Sequence, residues 1–287
     1  MASSSTISGL SLTKPSNRLT HLSFPEQKLR TITAGAVFYD GLGHDDLGLQ
    51  AVRKRFRYYP PDVRLYLLAS AWNRIGQEEH LRGRAGMVGD ELGSALIASR
   101  LVRDLMRLCF LMEEQYAPYP KWFGTAFAWL ACAKTLAPSL RRAQFAETWA
   151  EREQGLIEAY QLVAEMHNAL GITEALPATV RDFFGRPFKV MALHGFADAL
   201  RARIADPAVQ RIAQRGLIGG IHTGSTQIND ERIISNRPPV IDERAFDRLV
   251  IGVVLRHRSD FLPDVRCGAK GAPIIFATTC ARRPDQH

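Results

Sequence analysis

The stretch from Asp62 to Met112 constrains this chain more than any other. Val63, Tyr66, Leu67, Ala71 and Ile75 recur at three- and four-residue spacings, the signature of one helix face. A second run follows. Ile97, Leu101, Val102, Leu105, Met106, Leu108, Cys109 and Met112 cover most of the circumference of a helix placed at about Glu91 to Gln115. A helix that is apolar nearly all round is buried. Yet this one also carries Arg100, Arg103, Asp104 and Arg107, spaced i, i+3, i+4 and i+7, so that the charges share one stripe. Charge in a buried setting is costly unless it is paired or open to water. The stripe therefore faces either a wet cleft or an opposing acidic stripe, with Glu78, Glu79, Asp90 and Glu91 as the nearest partners. An ion-pair network that only fixes helix register stays open as the other reading.

Further helices follow the same logic. Asp62, after Pro60 and Pro61, reads as an N-cap. Ser70, Arg74, Gln77 and Glu78 read as a polar stripe opposite the core face, and GRAGMVGDELGS (83–94) as a glycine-rich connection. Pro118 and Pro120 break the chain, so Tyr119, Lys121 and Trp122 stand at the mouth of a fourth helix expected over about 122–136. A long helix over about 139–169 takes Phe145, Trp149, Leu156, Tyr160 and Val163 as its core face and stops at Gly171. Residues 176–204 hold a turn at GRPF and another helix. Asp206 and Pro207 open a short helix toward Leu217. Upstream, 24–35 and 47–57 suit short helices, and 36–43 an extended piece. The expected fold is mainly α: a bundle of five or six helices over 62–217, with a short irregular N-terminal extension and a loose C-terminal tail.

Composition narrows the function classes. The 287 residues carry a net charge of +8. That balance suits an anionic partner, and an arginine-rich proteome would produce the same number. No apolar run approaches the ~18 residues of a membrane span. Cys109, Cys132, Cys267 and Cys280 lack paired spacing, which favours reduced thiols and a cytoplasmic setting. The first 24 residues are rich in Ser and Thr and lack acids. Their arginine content and amphipathic pattern fall short of a transit peptide, so 1–23 reads as a disordered leader. No HExxH, Cys/His cluster, GxxxxGK[ST], GxGxxG before a helix or GxSxG occurs. His167 and His194 lie in helical pattern as packed or surface residues. The spacings Arg74-x5-His80 and Arg215-x6-His222 resemble the nuclease signature of small helical nucleotide-binding (HEPN) domains. In so arginine-rich a chain they are expected by chance.

The segments EQKL, TAGAVF, YYPPDV, QEE, GDELGS, RLVRDLM and YAPYPKW carry a resemblance. Over roughly 24–250 the chain resembles the helical C-terminal region, a domain of unknown function, of polymerase-β-type nucleotidyltransferase-like proteins distantly similar to kanamycin nucleotidyltransferase. The resemblance implies a catalytic half with Gly-Ser and an Asp-x-Asp pair that hold magnesium and a nucleoside triphosphate. This sequence contains no Asp-x-Asp, and neither Gly93-Ser94 nor Gly224-Ser225 is followed by an acidic pair. The expected organisation is a leader (1–23), the end of a nucleotidyltransferase domain (24–57), the helical domain (58–250) and an irregular tail (251–287), in a chain truncated relative to that family. The resemblance implies an acceptor- or nucleotide-binding cleft lined by Glu78, Glu79, Asp90, Glu91, Arg100, Arg103, Asp104, Tyr119, Lys121 and Trp122. No cofactor is expected on this chain alone. Magnesium and a nucleoside triphosphate would enter only with a nucleotidyltransferase domain supplied in trans. A non-enzymatic interaction or self-assembly protein and an RNA-binding helical domain are the competing readings.

Overall fold

The computed structural model describes residues 18–36 and 49–219. The extended piece expected at 36–43, the tail beyond 219, Cys267, Cys280 and His222 lie outside the described residues, all but Ala36. All the described residues belong to one compact unit, Met1–Ile241. They are mostly helical: α1 (Glu26–Thr33), α2 (Leu49–Arg55), α3 (Pro61–Met87), α4 (Glu91–Met112), α5 (Phe123–Phe127), α6 (Ala133–Phe145), α7 (Trp149–Ala169), α8 (Phe196–Ala202) and α9 (Pro207–Arg215). One antiparallel hairpin, β1 (Arg181–Phe183) and β2 (Arg186–Val190), interrupts them.

The 27-residue α3 is the central strut. Its Val63, Tyr66, Leu68, Trp72 and Ile75 are fully buried, and it packs most extensively against α4, then α8. Its start differs from the expected one. Pro60 is the N-cap, Pro61 takes the first helical position, and the Asp62 carboxylate accepts from the amides of Ala205 (3.0 Å) and Asp206 (3.2 Å) instead. Its end also differs. The helix runs through Gly83 and Gly86 to Met87. A Cβ at Gly83 would lie 2.5 Å from the Phe188 ring, and one at Gly86 would lie 2.2 Å from Trp149. These glycines admit close neighbours and do not mark a loop. Ser70 and Arg74, expected on an outer polar stripe, are buried.

The helix expected over 122–136 is broken. Pro120–Trp122 is a 3-10 turn, α5 ends at Phe127, and α6 begins only at Ala133. The restart has a cap from outside: Glu113 accepts from the amides of Ala131 (2.7 Å) and Cys132 (2.8 Å). The helix expected over 139–169 is also two. Thr148 and Glu151 form a capping box that starts α7 anew, and Phe145, expected in the core, is 74% exposed. Leu156, Tyr160 and Val163 are core residues as expected. The turn near GRPF is a hairpin bend at Phe184 and Gly185, both with positive φ, and Arg186–Phe188 is strand. Upstream, Arg18–Ser23, expected in a disordered leader, forms a 3-10 helix. His21 and the following Phe24 are buried near Phe56, and His21 near Tyr59 as well. No described helix is long and apolar enough to cross a membrane.

Candidate ligand cleft beside a closed ion-pair seam

The acidic and basic residues between α3 and α4 do meet. Arg74 donates from Nε to Asp104 Oδ2 at 2.6 Å, and its Nη2 lies 3.9 Å from Glu78 Oε1. Arg100 Nε donates to Glu78 Oε2 at 2.8 Å. Arg103 Nη2 stands 3.5 Å from Asp104 Oδ1. Glu78, Arg74 and Asp104 are buried or nearly so, whereas Arg100 and Arg103 are each 46% exposed. The stripe is therefore graded. Asp104 points into the helix pair, and the arginines run out to solvent over its edge. Arg107 turns toward α1 and pairs with Glu26 at 3.3 Å. A cavity of about 30 Å³ adjoins Ser70, Arg74 and Asp104, with room for one or two waters.

The other expected acids leave this group. Asp90 caps α4 by accepting from Gly93 N at 2.7 Å. Glu91 clamps the start of α7: it accepts from Trp149 N (3.1 Å) and from both terminal nitrogens of buried Arg152 (2.9 and 2.7 Å). Glu79 lies on a different face of α3 and accepts from the amides of Met191 (2.8 Å) and Ala192 (3.0 Å), pinning the end of the hairpin. Helical spacing puts Glu78 and Glu79 about 100° apart, so adjacent acids cannot line one cleft.

Burial pushes the Glu79 carboxyl up to about 7 from 4.5, against the opposing pull of the two amides and Arg82. The folded protein thus holds this proton more tightly than the unfolded chain. Its contribution to stability is present at low pH and is lost as pH rises from about 4.5 through about 7, a swing of roughly 3 kcal/mol. Denaturation of wild type and Glu79→Gln across that range should show a descending slope that the variant lacks. Parallel profiles would contradict the assignment.

A cleft of about 220 Å³ opens where α1, α4 and the turn before α5 meet. Glu26, Gln27, Arg103, Arg107, Ala117, Pro118, Pro120 and Phe123 line it. Tyr119 (58% exposed), Lys121 and Trp122 (56% exposed) belong to the same turn. Trp122 is no core anchor; Lys121 Nζ lies over its ring, 5.1 Å from the centroid. Of the ten residues expected in one cleft, Arg103 lines this one, while Tyr119, Lys121 and Trp122 sit next to its wall. Glu78, Arg100 and Asp104 form the seam, and Glu79, Asp90 and Glu91 serve other junctions. Sequence reasoning missed Gln27, Arg107 and Phe123 as lining residues. Only Arg107 had left a signal, as the last member of the stripe.

Arg74 and His80 part ways: Arg74 bonds Asp104 and His80 stacks on Phe183 (4.6 Å). The second spacing involves His222, which lies outside the described residues. His167 is a packed histidine. It accepts from Trp72 Nε1 at 3.2 Å, and burial pushes it down to about 4, hence neutral. Among the described residues, no three His, Cys, Asp or Glu side chains converge in a group that could hold a metal ion. The large exposed apolar side chains include Met87, Val88, Leu92 and Leu96 around the start of α4; none lies in the described part of 24–57.

Both the seam and the cleft fall inside one family match. Residues 21–123 match the family model described as Domain of unknown function (DUF4037). Its description names no activity, and nothing in it links the chain to nucleotidyltransferases. Neither the curated proteins nor the solved structures gave a match. The DUF4037 match runs from buried His21 in the 3-10 turn to Phe123, the last residue lining the cleft. The segments that carry the resemblance turn out to be largely structural. Tyr58, Tyr59 and Tyr116 form one aromatic cluster, with ring centroids 5.0–5.1 Å apart. The acids of QEE and GDELGS act as clamps and caps.

Proposed function

We propose that the DUF4037-matching region is a binding module that takes a small anionic ligand carrying an aromatic or apolar part, with a nucleotide as the class that fits best. The half-exposed Arg103 guanidinium at the mouth of the Arg107–Phe123 cleft is the observation that supports this reading. It is only partly satisfied by Asp104, and a planar guanidinium suits phosphate or carboxylate oxygens. Trp122 and Tyr119 offer exposed faces on which a base could stack, and Lys121 adds a further charge. With the seam acids engaged, the chain alone would bind and not transfer. Transfer would need a nucleotidyltransferase half, with its magnesium and nucleoside triphosphate, supplied in trans.

The test is a titration of magnesium–ATP and of inorganic phosphate, followed by tryptophan fluorescence. Trp122→Phe separates Trp122 from the other three tryptophans. Wild type should show a saturable response to the nucleotide. Arg103→Ala with Lys121→Ala should weaken it by about tenfold or more, and the nucleotide should be recovered unchanged. Identical responses in wild type and the double variant would overturn the proposal.

A further inference from the structure

The aromatic surface beside the cleft does not end at Trp122. Trp122 N donates to the Tyr119 carbonyl (2.9 Å), Ala128 N to Gly124 (3.1 Å), Trp129 N to Ala126 (3.1 Å) and Leu130 N to Phe127 (2.9 Å), so the chain keeps a helical winding on either side of α5. Exposure follows that winding. Ala126, Phe127 and Leu130 are buried, whereas Trp122, Thr125, Ala128 and Trp129 stand on the outside. The two indoles are seven residues apart, about two turns and roughly 10 Å along the axis. Trp129 is 76% exposed, although tryptophan is highly buried on average. A mononucleotide in the cleft has no use for it. Charge along this segment is of one sign. No Asp or Glu occurs between Glu114 and Glu147. Lys121 and Lys134 are exposed, and neither has a carboxylate partner among the described residues. The acids nearest in sequence are engaged: Glu113 holds the Ala131 and Cys132 amides, and Glu114 pairs with Arg64 at 2.8 Å.

We infer that the outer face from Tyr119 to Trp129 binds single-stranded nucleic acid, with the cleft taking one of its nucleotides. The inference rests on the nucleotide-binding reading above and extends it along the chain. Bases stack on Trp122 and Trp129, and Lys121 and Lys134 meet the phosphates. Exposed rings interleaved with cations are what a flexible chain of bases and phosphates requires. The roughly 10 Å between the indoles spans about three nucleotides at ~3.4 Å each. Lys121 already lies over the Trp122 ring, which sets a phosphate partner beside a stacking surface. Stacking and phosphate contacts leave the sugar unread, so DNA and RNA strands are one ligand to this face. An anionic membrane suits it less. Gly124, Thr125 and Ala128 lie between the two indoles and leave no broad apolar stripe to insert.

The experiment uses the full chain and labelled oligothymidylate and oligouridylate of about ten nucleotides, followed by fluorescence anisotropy, beside the magnesium–ATP titration and a titration with phosphatidylserine vesicles. Both strands should bind at least about tenfold more tightly than magnesium–ATP, and more weakly as salt rises. Trp129→Ala should weaken strand binding by about tenfold and leave magnesium–ATP binding unchanged. Trp129→Phe keeps a ring and should retain most of the strand affinity. Because Trp129 is exposed, both variants should melt like wild type. Strands bound no more tightly than magnesium–ATP, or strand binding indifferent to Trp129→Ala, would overturn the inference and leave the reading of the cleft in place. No response to strands or to magnesium–ATP would overturn both. Trp129-dependent binding to the vesicles without strand binding would overturn the inference in favour of a membrane face.

Discussion

Replacing Arg82 by alanine is expected to destabilise the fold by about 3–5 kcal/mol. Arg82 is 1% exposed and donates from Nη2 to Glu153 Oε1 at 2.8 Å and from Nη1 to the Trp149 carbonyl at 3.3 Å. Glu153 also accepts from Lys189 N at 2.9 Å, so this one pair joins α3, α7 and β2. Glu79 lies close enough to feel the same guanidinium. Alanine would leave two acids in a low-dielectric setting without their shared cation, and would open a cavity where the guanidinium packed. Urea denaturation measures the loss. A change under about 1 kcal/mol would mean that Glu153 is solvated and the junction is not dry.

Gly155→Ala should cost about 1–2 kcal/mol net. A Cβ there would sit 2.5 Å from the Ala143 amide nitrogen and 2.8 Å from the Ser139 carbonyl oxygen, both backbone atoms of α6. Backbone cannot swing aside as a side chain can, so α6 and α7 must separate. Overpacking of this kind costs about 1–3 kcal/mol or more, and the better helix propensity of alanine returns about 1 kcal/mol. Gly124→Ala in α5 is the control. Nothing lies within 4 Å of its added Cβ, so the change should be neutral or slightly stabilising. Equal effects at both positions would show that α6 and α7 are not in close contact.

What the sequence disclosed was set by periodicity. The α3 and α4 core faces were legible because Val63, Tyr66, Leu67 and Ile75, then Leu101, Val102, Leu105 and Leu108, repeat at helical spacing and are buried. Interruptions were misread where the cause was tertiary. Gly83 and Gly86 looked like loop residues, but they are helical contact points for Phe188 and Trp149. The break at Ala128–Cys132 has no local glycine or proline; its cap comes from Glu113, distant in sequence. For the site, charge alone could not separate clamp from ligand contact. Glu91 and Arg103 carry similar signals in sequence. Only packing shows that Glu91 is bound by Arg152 and Trp149 N, whereas Arg103 reaches an open cleft. Arg152 and Glu153, adjacent in α7, gave no sign that they would hold separate junctions.

The central claim is that the charges between α3 and α4 are a packing device, with binding left to the cleft at their edge. A double-mutant cycle on Arg74 and Asp104 tests it most directly. The pair is the shortest contact of the seam (2.6 Å), with side chains 9% and 3% exposed. Arg74→Met and Asp104→Asn, singly and together, would be measured by chemical denaturation, with magnesium–ATP binding followed in parallel. The account predicts a coupling energy of about 2 kcal/mol and nucleotide affinity retained in every variant that remains folded, and tightened if at all by Asp104→Asn, which removes the acid beside Arg103. A coupling energy near zero, or a loss of binding in folded Asp104→Asn, would contradict it.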